Sequence, residues 1–169
     1  LPQYEKGQLH KTHPDYWSAK AMKYKHMSEG HYDRGIFSIY FLNLICLQPG
    51  KAIFQNFGVL HAYLEGPIIE VMANSDNVAR AGITNKYINV EELMKLTIFD
   101  SVTPNIITGR KVTNETFYDA PLPEFLVSKI QFEENNTYNH ISYSAEIVMG
   151  MQGKAELTTK GKTLSLAKG

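Results

Sequence analysis

Residues 57–66 read Phe-Gly-Val-Leu-His-Ala-Tyr-Leu-Glu-Gly, and a polar run, Asn-Ser-Asp-Asn-Val-Ala-Arg-Ala-Gly, follows at residues 74–82. The first stretch predicts a β-strand over residues 59–64. Successive side chains on a strand point to opposite faces, so His61 and Tyr63 share one face. The strand therefore presents an imidazole and a phenol on the same side.

The residues after this strand predict a hairpin that returns along it. Glu65-Gly66-Pro67 is turn chemistry, and residues 68–72 form the expected partner strand, with Glu70 between two apolar residues. Alternation sends the apolar side chains one way and Glu70 the other. A register that puts Glu70 beside His61 and Tyr63 gives a histidine, a phenol and a carboxylate facing one cavity.

His61 and Glu70 also have ordinary structural interpretations. A single histidine on a strand is more often a hydrogen-bonded core or surface residue than a metal ligand. Glu70 could equally be a solvated residue on the outer face of a sheet with one wet side. The polar run at residues 74–82 favours the pocket, because a hairpin loop needs only about two to five residues.

Several strings in this region resemble the type I mannose-6-phosphate isomerase family. In chain order they are Phe-Leu-Asn-Leu at 41–44, Leu-Gln-Pro-Gly at 47–50, Gly-Val-Leu-His-Ala-Tyr-Leu at 58–64, Glu-Val-Met-Ala-Asn-Ser-Asp-Asn at 70–77 and Arg-Ala-Gly at 80–82. The resemblance is dense over residues 32–93 and looser, but continuous, to the end of the chain. It implies a zinc-dependent cupin enzyme that interconverts mannose 6-phosphate and fructose 6-phosphate through an enediol.

By this resemblance, six residues are expected at the active site. The metal ligand is His61, the catalytic residues are Arg80, Glu70 and Asp76, and the substrate-binding residues are Tyr63 and Lys86. Arg80 is expected to support the charged intermediate or the phosphate, and Lys86 to help hold the phosphate. Which carboxylate moves the proton stays open at this point.

Three of these residues have structural alternatives. Arg80 could form a structural ion pair with Asp76, four residues before it. Asp76 could only form a turn, through a hydrogen bond to its own backbone. Lys86 could be an exposed loop residue, which is the commonest place for a lysine.

The resemblance also implies zinc ligands that this chain is expected to lack. The family holds its zinc with a glutamine and a histidine close together on one strand, a glutamate further on, and the histidine that matches His61. One imidazole cannot hold Zn²⁺ specifically, because such sites take three or four protein ligands. We therefore expect the chain to be the C-terminal portion of the enzyme, and to be inactive alone. The alternatives are a non-catalytic cupin module that binds a sugar phosphate or sugar nucleotide, and a structural fragment without a ligand.

The predicted fold is mostly β, of the cupin or jelly-roll type, with a short N-terminal helical segment. Four segments are expected: the tail of a helical insertion at 1–31, the last strands of the catalytic cupin at 32–99, a connector at 100–124, and a smaller, truncated C-terminal cupin at 125–169. A helix is predicted to begin near Pro14, and another to span 90–96 behind an N-cap at Asn89. The predicted strands are 36–47, 52–57, 59–64 and 68–73 in the first cupin, and 125–132, 138–143, 145–149, 154–159 and 163–166 in the second.

Composition excludes some classes of partner and favours a cellular location. The chain has 17 basic and 17 acidic residues among 169, in no long block of one sign, which argues against a nucleic-acid or anionic-membrane surface. No apolar run approaches membrane-helix length, and we expect no signal peptide. Cys46, the single cysteine, is expected to be buried and favours the cytoplasm. The complete enzyme is expected to be a monomer, whereas this chain could self-associate through an open sheet edge.

Overall fold

The computed structural model describes residues 1–23, 32–75 and 77–169, and these fall into two compact units, Leu1–Gln131 and Phe132–Gly169. The helices are α1 (Pro2–Glu5), α2 (Pro14–Ala21), α3 (Ser38–Phe41) and α4 (Val90–Leu96), with a 3₁₀ helix at Arg34–Phe37. The strands are β1 (Ala52–Phe54), β2 (Asn105–Ile107), β3 (Arg110–Val112), β4 (Glu115–Tyr118), β5 (Val127–Ile130), β6 (Ala155–Thr159) and β7 (Lys162–Leu166). All three sheets are small and antiparallel, so the described structure is compatible with a β-rich fold.

Helix α2 begins at Pro14, as the sequence predicts. Proline needs no backbone partner in the first turn, and the side chain of His13 caps the helix by accepting the N–H of Asp15 at 3.3 Å. The indole N–H of Trp17 donates to the carbonyl of Lys11 at 2.7 Å. The buried apolar residues of the described chain are Trp17, Ala19, Ala21 and Ile36. The predicted continuation of this helical region toward Gly30 lies outside the described residues.

The predicted strand at 36–47 is wrong. Its first part is helical, in the 3₁₀ helix and α3, and residues 42–47 belong to no strand. Local capping explains the difference, because the Asp33 carboxylate accepts the N–H of Gly35 at 2.7 Å and the Ser38 hydroxyl donates to the Gly35 carbonyl at 2.6 Å. Cys46, which we expect to be buried, is exposed in this segment.

The first sheet pairs β1 with β2, with Ala52 opposite Ile107. The prediction of a strand at 52–57 is confirmed for its first three residues. No strand forms at 59–64 or 68–73, so the hairpin predicted there is not a regular ladder. Residues 100–124, predicted as a connector, contain β2, β3 and β4.

The second sheet has the order β3-β4-β5 and contains the last strands of the larger unit. Phe117 lies at its centre, opposite Arg110 on one side and Ser128 on the other. The strand predicted at 125–132 is confirmed for its four central residues, which form β5.

In the smaller unit, β6 and β7 form a hairpin with Thr159 opposite Lys162. Lys160 and Gly161 connect the strands with φ angles of 44° and 75°, and two positive φ values suit the right-handed twist of a tight hairpin. This confirms the strands predicted at 154–159 and 163–166. The strands predicted at 138–143 and 145–149 do not form.

Helix α4 is confirmed at 90–96, and its end is held against the stretch that leads into the site. The Asn89 side chain accepts the N–H of Glu92 at 3.1 Å, as expected of an N-cap. The N–H of Ile98 donates to the carbonyl of Gly58 at 2.9 Å. A Cβ atom at Gly58 would lie 2.6 Å from the carbonyl oxygen of Leu96, and its φ is 73°, so both space and backbone require glycine.

Much apolar surface is exposed. Phe41, Phe57 and Tyr87 are each more than 80% exposed. Across residues 1–23, 32–75 and 77–169, no helix has the length and apolar character needed to cross a membrane.

We predict that Gly58→Ala destabilises the protein more than Gly50→Ala does. The two glycines have similar φ angles, 73° and 80°, but a Cβ at Gly50 meets no atom within 4 Å. Gly50→Ala should therefore cost only the backbone penalty, about 1 kcal/mol, whereas Gly58→Ala adds a steric clash and should cost at least about 2 kcal/mol. Urea unfolding of the two variants measures the difference. Equal costs would show that the Gly58–Leu96 contact is not tight.

Candidate functional site

The His61 side chain is oriented by a backbone carbonyl two residues before it. Its Nδ1 lies 3.0 Å from the carbonyl oxygen of Val59. A carbonyl only accepts hydrogen bonds, so Nδ1 carries the proton and donates it. In the neutral ring, Nε2 then bears the lone pair.

That lone pair faces a carboxylate. Nε2 of His61 lies 3.8 Å from Oε1 of Glu70. Both side chains are more than a third exposed. His61 and Glu70 therefore offer a nitrogen and an oxygen donor side by side at an accessible position.

Tyr63 completes the cluster. Its ring lies edge-on to the imidazole of His61, with 5.9 Å between the ring centroids. Partial burial, and then the hydrogen bond and negative charge of Glu70, raise the pKa of the Tyr63 phenol to about 12. Near neutral pH the Tyr63 hydroxyl therefore keeps its proton. The predicted proximity of His61, Tyr63 and Glu70 is therefore confirmed, although the segments that carry them form no regular strands.

The turn beside the cluster is tied to the N-terminal helix. Glu65 forms ion pairs with Lys11 and with Lys20, whose Nζ lies 2.6 Å from Oε2. The hydrogen bonds from Lys11 and then Lys20 lower the pKa of the Glu65 carboxyl to about 2. Local sequence gave no sign of this anchor, because the two lysines lie 54 and 45 residues away.

Arg80 lies at a cavity of about 400 Å³ that the His61 cluster does not line. Asn77, Tyr87 and Glu92 are also in its wall. Lys86 is exposed and lines neither this cavity nor the cluster. Asp76 lies outside the described residues, and so does any ion pair between it and Arg80. The structure thus brings together three of the six predicted site residues and places two elsewhere.

The donors for a metal are incomplete in the described chain. Residues 1–23, 32–75 and 77–169 contain no group of three or more histidine, cysteine, aspartate or glutamate side chains that could hold a metal ion. One Gln-x-His string, which we expect to be missing, does occur as Gln8-Leu9-His10. It lies before α2 and in no strand, and Nδ1 of His10 is hydrogen-bonded to the Thr12 hydroxyl at 2.8 Å. It does not match the pattern of two ligands on one strand.

Comparison with known proteins gives strong sequence matches. The chain is 35% identical over 153 residues to mannose-6-phosphate isomerase of Mus musculus, 37% identical over 139 residues to that of Escherichia coli K12, and 38% identical over 137 residues to that of Homo sapiens. The chain is similar in sequence to these mannose-6-phosphate isomerases. These matches cover 86%, 81% and 75% of the chain.

The chain spans about a third of the length of these relatives: 32%, 35% and 32% respectively. This coverage is consistent with a C-terminal portion of a mannose-6-phosphate isomerase. No family model and no solved structure matches the chain. The sequence resemblance is confirmed, and the cupin architecture stays a prediction.

The Tyr63–Glu70 contact predicts a specific titration. Glu70→Gln removes the negative charge, so the Tyr63 pKa should fall from about 12 part of the way toward 10.0. A raised phenol pKa contributes stability below pH 10 that is lost as pH rises from 10 to 12. Tyrosinate absorbance measures this pKa, with Tyr63→Phe subtracted to isolate Tyr63. Glu91→Gln, a change to an exposed glutamate on α4, is the matched control. If the pKa of Tyr63 stays near 12 in Glu70→Gln, the contact between Tyr63 and Glu70 is contradicted.

Proposed function

We propose that the protein containing this chain is a mannose-6-phosphate isomerase, and that the chain contributes one wall of its active site. The observation that carries the proposal is the cluster of His61, Tyr63 and Glu70, found in a chain related to enzymes of that name. The phosphosugar would be its substrate. The 169 residues alone would be inactive, because only part of the required site is present.

The reaction defines which groups are needed. Converting an aldose into a ketose moves a proton between C2 and C1 of the sugar through an enediol. It requires a base, an electrophile that stabilises the developing oxyanion, and a cationic clamp for the phosphate. A carboxylate, a metal-binding imidazole and an arginine are suited to these tasks.

His61 fits one position of a zinc site. Metal-binding histidines usually donate the other ring N–H to a carbonyl or carboxylate, as Nδ1 of His61 does to Val59. Nε2 is then the donor atom, and the remaining ligands would come from residues outside this chain. Zinc bound there would polarise the substrate oxygens. The neighbouring Glu70 carboxylate would favour the cation electrostatically.

The other site residues take the roles that their chemistry allows. We propose Glu70 as the base, with Tyr63 holding the carboxylate in place through its hydroxyl. Asp76 is the alternative carboxylate for the proton transfer. Arg80 would stabilise negative charge on the intermediate or the phosphate, and Lys86 would contact the phosphate. In this scheme, Arg80 and the His61 cluster contact the same substrate molecule in the complete site.

A second function, binding of a sugar phosphate without catalysis, has one specific support. Arg80 lies at a cavity that the His61 cluster does not share, so an anion could bind there without the metal. Metal dependence distinguishes the two functions. Catalysis requires the His61 cluster, whereas simple binding requires only the cavity.

The remaining proposals concern fold and location. We propose the cupin architecture with the four segments given above, a monomeric complete enzyme, and a cytoplasmic location. The small antiparallel sheets support the proposed architecture. Self-association of the isolated chain would follow from its exposed apolar surface.

We predict that His61→Ala in the full-length protein lowers both zinc affinity and turnover of mannose 6-phosphate by at least about 100-fold, because it removes a direct metal ligand. Zinc content after dialysis and a coupled isomerase assay measure the two effects. His10→Ala is the matched control and should change neither. Full zinc binding and turnover in His61→Ala would refute the proposed site. Loss of activity with zinc retained would refute the metal role alone.

A further inference from the structure

Asp33 connects two backbone segments that are far apart in sequence. One carboxylate oxygen accepts the N–H of Gly35 at 2.7 Å, and the other accepts the N–H of Ile83 at 2.7 Å. Ile83 lies 50 residues along the chain. Each oxygen of this half-buried carboxylate therefore has a separate backbone donor, and both bonds to the ionised group are charge-assisted.

The two segments also touch at their glycines. A Cβ atom at Gly35 would lie 2.8 Å from the Cα of Gly82, and a Cβ at Gly82 would lie 2.8 Å from the Cα of Gly35. Neither glycine has a positive φ, so a different residue would be tolerated by the backbone itself. Glycine is required at both positions because the two backbone segments pass too closely to leave room for a side chain.

Ile83 is held in an unusual conformation at this contact. Its φ is 51°, in the left-handed region that β-branched residues rarely adopt. Such a conformation persists only where surrounding interactions fix it. The hydrogen bond from its N–H to Asp33 and the adjoining Gly35–Gly82 contact are those interactions.

This contact lies within the segment that carries the proposed anion-binding residues. Arg80 precedes Gly82 by two residues, and Lys86 follows Ile83 by three. Fixing the backbone at Gly82 and Ile83 restricts where Arg80 can place its guanidinium. Binding and catalysis lose efficiency steeply when a charged group is displaced by about 1 Å.

We propose that Asp33 is a positioning residue: by holding the Ile83 N–H and the Gly35–Gly82 contact, it sets the location of Arg80 in the active site. The inference rests on the proposed function, in which Arg80 stabilises negative charge on the substrate. Asp33 itself touches no substrate. Its effect on turnover passes through Arg80, which makes the two residues energetically coupled.

The test is a double-mutant cycle in the full-length protein. Asp33→Asn keeps the size of the side chain, but its amide nitrogen cannot accept a hydrogen bond, so one backbone N–H loses its partner. We expect Asp33→Asn to lower kcat/KM for mannose 6-phosphate by about tenfold or more. In an Arg80→Ala background the same substitution should cause less than a twofold further loss. Asp119→Asn, at an exposed carboxylate paired with Arg110, is the matched control and should have no effect in either background.

A second readout needs no catalysis. Hydrogen exchange of the Ile83 amide should accelerate at least tenfold in Asp33→Ala, which removes both acceptor oxygens, while the Ile98 amide, bonded to Gly58, should keep its rate. Gly82→Ala should reproduce the kinetic coupling to Arg80 without altering the carboxylate. These two variants keep the test informative if one of them folds poorly.

Each contrary result has a distinct meaning. Equal losses from Asp33→Asn in both backgrounds would overturn the positioning role, because they would show an effect independent of Arg80. Unchanged exchange of the Ile83 amide would overturn the hydrogen bond on which the role depends. Absence of isomerase activity in the unsubstituted protein, or full activity in Arg80→Ala, would instead overturn the proposed function and the positioning role with it.

Discussion

The site depends on the pairing of the His61 imidazole with the Glu70 carboxylate. The backbone carbonyl of Val59 fixes the proton on Nδ1, which leaves the Nε2 lone pair 3.8 Å from a carboxylate oxygen. This arrangement leaves a nitrogen and a carboxylate oxygen side by side and accessible to a cation. Tyr63 lies beside them, and burial together with Glu70 raises the pKa of its phenol to about 12. In the proposed isomerisation, metal binding and proton transfer would then be carried out by neighbouring residues.

Local sequence patterns predicted the His61–Tyr63–Glu70 cluster and the start of two helices. The two-residue spacing of His61 and Tyr63, followed by a turn, correctly placed Glu70 beside them, because a tight reversal of the chain brings such positions together even without a regular ladder. Caps at Asn89 and the proline at position 14 correctly marked two helices, since these signals act within one turn.

What could not be predicted depends on contacts distant in sequence. The strand expected at 36–47 is partly helical, because Asp33 caps that segment while its other oxygen binds Ile83. The anchoring of Glu65 by lysines near the N-terminus left no local pattern either. Arg80 and the His61 cluster line different surfaces in this chain, which spans about a third of its relatives. Sequence order alone carries no information on such placements.

The most direct test of the account is anomalous diffraction at the zinc edge from crystals of the full-length protein loaded with zinc. The account predicts a zinc ion about 2.0–2.1 Å from Nε2 of His61, with Nδ1 still donating to the Val59 carbonyl and Glu70 beside the metal. Zinc bound elsewhere with His61 free of metal, or zinc bound through Nδ1, would contradict the central claim.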